Sequence, residues 1–296
     1  IIYTDENGKY DSEKYSFVVR RNFSYFKLTR FIIDFKPDII FTATSVNILE
    51  HNVRKIARQN KIRSYAFIDH WGPYIERFIF KKEKILPDYI LVIDEHAYKE
   101  AQKNILLKDK LKIFSNPYKE KVLNYTPSVL KDSLLNRLKC DKYIVFVDEH
   151  IRDCDDFIKD KKTGIPEIGY DEYSTLKNLL DVFSNQQLKK FNEICKIIIK
   201  IHPISNIKKF DELLKLYPFL NFKIIKEINS LDLLYYSEIV LGMFSNMLLD
   251  AHYLKKEVIR IQINQKKELF YFKIKNIALA KSKINLKKLL IPFTYE

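Results

Sequence analysis

Short runs of β-branched and aromatic residues alternate along the chain with longer stretches whose apolar residues recur at helical spacing. The runs predict strands at Asp38–Thr42, Ser64–Ile68, Tyr89–Ile93, Lys112–Phe114, Tyr143–Val147, Ile197–Ile201, Phe222–Ile225, Ile239–Leu241 and Val258–Ile263. The longer stretches predict helices at Tyr15–Phe35, Ile48–Gln59, Glu95–Ile105, Tyr173–Phe183, Gln187–Glu193, Lys208–Leu216, Leu231–Ser237 and Asn246–Leu254. Side chains three and four apart share a helix face, whereas a strand repeats every two residues. Strands separated by helical stretches imply βαβ units and mainly parallel sheets. Ile197-Ile198-Ile199 is apolar at consecutive positions, so such a strand should be covered on both faces. The expected fold class is α/β, with two Rossmann-like domains whose mainly parallel sheets face a cleft.

A length of 296 residues suits two domains of ~150 each. The break is expected near Ser115–Ser133, because Asn116-Pro117 leads the chain out of an extended segment. This divides the chain into residues 1–125 and 126–296. Arg152–Tyr170 is polar, carries Gly164, Pro166 and Gly169, and is long enough to be a functional lid. The chain opens at Ile1-Ile2-Tyr3 without Met, so a first strand or a targeting segment is expected to precede it. No signal peptide is visible, and no apolar run approaches the ~20 residues of a membrane span.

Hydrophobic residues make up 47% of the chain and charged residues 30%, which excludes a disordered chain. Cys140, Cys154 and Cys195 lack metal-site spacing and read as reduced thiols, so a cytoplasmic location is expected. The net charge of +14 favours an anionic partner, although a genomic bias toward Lys, Ile and Asn gives the same excess. Lys81, Lys82 and Lys84, with Lys281, Lys283, Lys287 and Lys288, could hold the protein peripherally at an anionic inner membrane face. Apolar residues from Ile284 to Ile291 beside those lysines would make that contact weakly amphipathic. A basic nucleic-acid-binding module is the non-enzyme alternative. The aromatic residues alternate inside apolar segments rather than among Lys and Arg, so no nucleic acid is expected.

Position locates the candidate chemistry. Ligands of open α/β sheets bind beyond the carboxyl ends of the strands. Asp69, His70 and Trp71 follow one predicted strand, and Asp148, Glu149 and His150 follow another. A third ends in Lys200 and Ile201, with His202 and Pro203 beyond, and a fourth runs into Gly242, Met243, Phe244, Ser245 and Asn246. Loop starts are polar anyway, so each cluster alone carries little. Ser245 is placed to cap the helix that follows, where amides and helix dipole favour a phosphate. Lys200 and His202 alternate onto one strand face, where both could meet one anion. Neither the phosphate-loop pattern ending in Gly-Lys-Ser/Thr nor G-x-G-x-x-G occurs, which removes the main support for an NAD site.

Lys200-Ile201-His202-Pro203, followed by Gly242-Met-Phe-Ser245-Asn246-Met-Leu-Leu-Asp250-Ala251, resembles the second domain of GT-B-fold glycosyltransferases of bacterial surface polysaccharides. The polysialyltransferase-like group, with His-Pro and Ser motifs, and the CDP-polyol phosphotransferases are the similar families. Phe67-Ile-Asp69-His70-Trp71, Arg77-Phe78 and Leu86-Pro87-Asp88-Tyr89 resemble the first domain of such transferases. The resemblance spans about Asp38 to Ile263. It departs from the family at Ser245-Asn246, where two small hydroxyl residues are usual, and at Asp148-Glu149-His150, where an acidic pair precedes Gly.

The resemblance implies transfer of a sugar, with a CMP-activated nonulosonate as first candidate, from a nucleotide donor to a glycan hydroxyl. Residues 1–125 would be the acceptor side and 126–296 the nucleotide-sugar side. Lys200, His202, Pro203, Gly242, Ser245 and Asn246 would bind the nucleotide. Asp69 and Glu149, then His70, are the candidate bases. Neither a cofactor nor an obligatory metal is expected. The enzyme alternatives are a nucleotide-sugar epimerase or hydrolase on the same fold, which needs no acceptor, and a CDP-polyol phosphotransferase.

Overall fold

A computed structural model describes residues 2–4, 18–20, 24–44, 48–154, 157–161, 163–185, 188, 195–267 and 277–294. The chain forms two compact units, Ile1–Pro117 and Tyr118–Glu296.

In the first unit the strands are β1 (Ile2–Thr4), β2 (Val18–Arg20), β3 (Ile39–Thr42), β4 (Arg63–Ile68), β5 (Ile79–Phe80), β6 (Glu83–Lys84), β7 (Tyr89–Val92) and β8 (Leu111–Ile113). Its helices are α1 (Tyr25–Phe35), α2 (Ile48–Gln59) and α3 (Glu95–Ala101), with α4 (Pro117–Leu123) starting at the division. The main sheet runs β3-β4-β7-β8, all parallel. The helix predicted over Tyr15–Phe35 begins instead at Tyr25. Ser24 caps it by accepting from the Lys27 amide, and Val18–Arg20 is a strand paired with β1. Leu28 and Ile32 of α1 pack with Ile56 and Ala57 of α2 and Ile40 of β3. The opposite face of β3 is open, with Ile39 and Phe41 exposed.

The second unit contains α5 (Lys131–Leu138), β9 (Lys142–Val147), α6 (Glu172–Phe183), β10 (Cys195–Lys200), α7 (Asp211–Leu214) and β11 (Phe222–Ile225). It continues with α8 (Ser230–Tyr236), β12 (Ile239–Gly242), α9 (Asn246–Tyr253), β13 (Glu257–Ile261), β14 (Ala278–Ala280) and α10 (Lys283–Leu290). The helix expected at Gln187–Glu193 lies outside the described residues apart from Leu188. The strands order themselves β11-β10-β9-β12-β13-β14, all parallel. This is the doubly wound 3-2-1-4-5-6 order, and the chain reverses direction across the sheet on either side of β9.

Period-two alternation builds a core on each face of this sheet. Ile144, Phe146, Ile197, Ile199, Leu241 and Ile259 meet Leu176, Leu180 and Leu286 on one side. Tyr143, Val145, Val147, Ile198 and Val240 meet Leu134, Leu233 and Leu248 on the other. The tail helix α10 spends its apolar face here: Leu286 and Leu290 are buried and Lys283 pairs with Asp181, leaving Ile284 exposed. Among the described residues no helix is long and apolar enough to cross a membrane.

Candidate functional site

In the second unit, β9, β10 and β12 are neighbours, so the residues just beyond them share one sheet edge. That edge flanks the topological switch point, where doubly wound sheets open a crevice.

Gly242 ends β12. A Cβ there would lie 3.1 Å from Leu248 Cδ2 and 3.4 Å from Val147 Cβ, so glycine lets the first turn of α9 close onto the sheet. Ser245 caps α9, its hydroxyl accepting from the Met247 amide at 3.2 Å, and Asn246 is exposed beside it. The intervening turn is held from both sides. Glu149 accepts from the Met243 and Phe244 amides, both at 2.8 Å, and the Met243 carbonyl accepts from Arg260 Nε at 3.2 Å and Gln262 Nε2 at 3.3 Å. Burial pushes the Glu149 carboxyl up to about 7, with the amides of Met243, Phe244 and Ser245 opposing and Glu172 adding to the rise.

The His202-Pro203 turn follows β10. The His202 amide donates to Asp148 Oδ2 at 3.0 Å, and the His202 ring lies stacked on His150 with centroids 5.9 Å apart. Partial burial lowers the His202 pKa. Asp148 opposes that shift, and His150, Lys209 and Lys226 add to it, so the ring is neutral near pH 7. Its Nδ1 lies 3.5 Å from the Ile204 amide; accepting there leaves the ring proton on Nε2. Pro203 is exposed.

The Lys200 side chain is engaged with backbone carbonyls. Its ammonium donates to the Lys226 carbonyl and, at 2.9 Å, to the Ile228 carbonyl, so it ties β10 to the turn after β11. Burial lowers its pKa. A cation at this edge that sequence reasoning missed is Lys209. It bridges Asp148 Oδ1 at 3.3 Å and Glu172, and Glu172 in turn accepts from the Ile151 and Arg152 amides, both at 3.1 Å. Asp171, next to it, caps α6 and holds Arg152 at 2.7 Å.

The stretch expected as a lid is anchored here. Ile151, Ile168 and Tyr170 cluster with Met243, and Phe157 and Tyr170 lie against Phe244. At its end Gly169 has φ +94, and a Cβ there would stand 2.1 Å from the Asn264 carbonyl oxygen. Within the stretch, Asp153-Cys154-Asp155 has the Asp-x-Asp spacing that the metal-free expectation passed over; Asp155 lies outside the described residues. Among the described residues no group of three or more His, Cys, Asp or Glu is placed to hold a metal ion.

In the first unit, Asp69 and His70 follow β4. The Asp69 side chain is 72% exposed and lies 3.6 Å from Arg77 Nη1. Arg77 is itself engaged with the Pro73, Gly72 and Thr44 carbonyls. His70 Nδ1 meets the Trp71 carbonyl at 3.0 Å, and the Trp71 indole donates to Asp94 at 2.9 Å.

No protein-family model matches the chain, and no curated protein matches it in sequence. Solved structures do match in shape. A UDP-GlcNAc 2-epimerase from Methanocaldococcus jannaschii gives a TM-score of 0.61 at 16% identity, covering 95% of this chain and 79% of its own. The fold is GT-B-like. A UDP-GlcNAc 2-epimerase from Neisseria meningitidis, bound to UDP-GlcNAc, gives 0.60 at 16% identity over 91% of this chain and 72% of its own. A putative UDP-N-acetylglucosamine 2-epimerase from Listeria monocytogenes gives 0.61 at 10% identity, over 91% and 70%. The polysialyltransferase-like type is not among these similarities; what the structures share is the two-domain Rossmann-like architecture.

Proposed function

We propose that this protein is a nucleotide-sugar enzyme whose second unit holds the nucleotide through His202, His150, Ser245 and Asn246. One observation carries the reading. The doubly wound order places the loops after β9, β10 and β12 on a single sheet edge, and those loops carry a stacked histidine pair and a capped helix start. Nε2–H of His202 is suited to donate to a phosphate or ribose oxygen. Ser245 and the first amides of α9 supply dipoles where charge grows as a sugar–phosphate bond breaks.

The matched structures favour epimerisation or hydrolysis of a UDP-linked sugar as the first reaction to test. Transfer to a glycan hydroxyl, with CMP-nonulosonate as donor, is the second reading and rests on the His-Pro and Ser motifs. Asp69 and His70 are the proposed acid–base groups for either. Asp69 is exposed beside Arg77, where an arriving substrate can reach its carboxyl.

Incubation with UDP-GlcNAc alone, followed by proton NMR, separates them. A C2 epimer or free sugar with UDP supports the first reading. Turnover that appears only with CMP-sugar and an acceptor supports the second. A thermal-shift screen with CMP, CDP, UDP and GDP is the broader test, since a ligand at 100 times its Kd adds ~2.7 kcal/mol. No shift with any of them, and no turnover, would remove the nucleotide-sugar reading.

A further inference from the structure

We infer that Asp148 and Glu149 are positioning residues, two consecutive carboxylates that each hold the backbone of one ligand-edge loop. The inference rests on the reading that this edge binds the nucleotide. β9 lies between β10 and β12, so one dipeptide at its end reaches both neighbours. Asp148 takes the His202 amide at 3.0 Å on the β10 side. Glu149 takes the Met243 and Phe244 amides at 2.8 Å on the β12 side, with a second contact to Phe244 at 3.1 Å.

Both carboxylates are nearly closed to solvent, at 2% and 5% exposure. A general base has to reach the proton that it removes. Glu149 instead fills the nest of amides at the end of β12 with its own oxygens. The part of this turn left for a ligand is the Ser245 hydroxyl and the exposed Asn246. On the other side, Asp148 orients the turn so that the His202 ring lies against His150. Lys209 balances Asp148 and Glu172 beneath the pair, and Arg260 holds the far side of the Met243 peptide. The edge is thus rigid before any ligand arrives, which lowers the ordering cost of binding. The glutamate that motif reading nominates as a base is reassigned to the frame.

Two measurements on Glu149→Gln test this. The first is amide hydrogen exchange of the apo protein. Gln keeps one acceptor in place of the oxygen that takes both 2.8 Å bonds, but it loses the carboxylate and sets an N–H donor where the 3.1 Å contact to the Phe244 amide lies, so exchange at residues 243–246 should speed by about threefold or more. Unchanged exchange there would overturn the inference, whatever the protein binds. The second is UDP titration set beside turnover at saturation. Affinity should fall about tenfold while saturated turnover stays within about threefold. Intact affinity with turnover lost would make Glu149 a base and overturn the inference. Failure of the wild type to bind any nucleotide would defeat the nucleotide reading instead, leaving exchange to decide the positioning role. Should Glu149→Gln not fold, Asp148→Asn is measured in the same way at residues 202–205.

Discussion

The strand ends of the two units are built differently. In the second unit, Asp148, Glu149 and Glu172 are buried and, with the half-buried Lys209, are bonded to one another or to backbone amides. In the first, Asp69 is exposed, its nearest cation is 3.6 Å away, and its neighbour His70 bonds locally to Trp71. A buried charge network holds geometry and is costly to break; an exposed carboxylate costs little and can exchange protons with what arrives. The contrast is between carboxylates locked into a buried network and a carboxylate exposed at a strand end.

The sharpest way to break the comparison is Asp69→Asn. Turnover should fall by ~10²–10⁴-fold, the usual contribution of a general base, with nucleotide affinity and stability barely moved. Near-normal turnover would leave the first unit without its proposed chemistry. Next is Lys209→Met, which leaves Asp148 and Glu172 buried without their cation. Removing one partner of a buried pair costs ~3–5 kcal/mol, readable as a lower denaturation midpoint. A loss under ~1 kcal/mol, as for exposed pairs, would show that the network is no frame.

A smaller effect is expected from His202→Ala. The backbone amide that bonds Asp148 is untouched, so the fold should persist while nucleotide affinity falls about tenfold, the worth of one hydrogen bond or slightly more. Calorimetric titration reads this, and an unchanged Kd would return His202 to a structural part. The smallest effect is on pH. Glu149 is pushed up to about 7, above the ~4.3 of an unfolded chain, so the folded state holds the proton more tightly. Its contribution is therefore favourable at low pH and is lost as pH rises from about 4 through 7. Asp250, raised to about 6 by burial against the Tyr118 hydroxyl bond, acts in the same direction. His202, lowered, acts in the opposite one. Comparing denaturation midpoints of wild type and Glu149→Gln between pH 5.5 and 8 isolates the first. The variant should lose less stability as pH rises, and parallel curves would contradict the burial argument.

Much of the sheet was legible because apolar runs mark strands directly. All nine predicted strands form, Phe222–Ile225 with the expected bounds and the others with ends shifted by a residue or two. The short strands Ile79–Phe80, Glu83–Lys84 and Ala278–Ala280 were not, since so few residues carry no period. Tyr15–Phe35 was too long a helix because its apolar spacing continues through a capping serine. Ile39 and Phe41 looked like residues of a fully covered strand, yet they face outward, because periodicity does not say how many faces are packed.

The sequence by itself determined the α/β class, the parallel strands and the loop positions of His202, Ser245 and Asp69, because local pattern and strand-end rules need only neighbouring residues. Tertiary structure decided which of those groups face outward. Glu149 is separated from Met243 by 94 positions, and Lys209 from Asp148 by 61. Lys200 was drawn to carbonyls 26 and 28 residues on. A carboxylate or ammonium looks alike in sequence whether it meets ligand or backbone. Its partner is chosen by the sheet order, which brings distant loops together, and by burial, which demands that every charge there be matched.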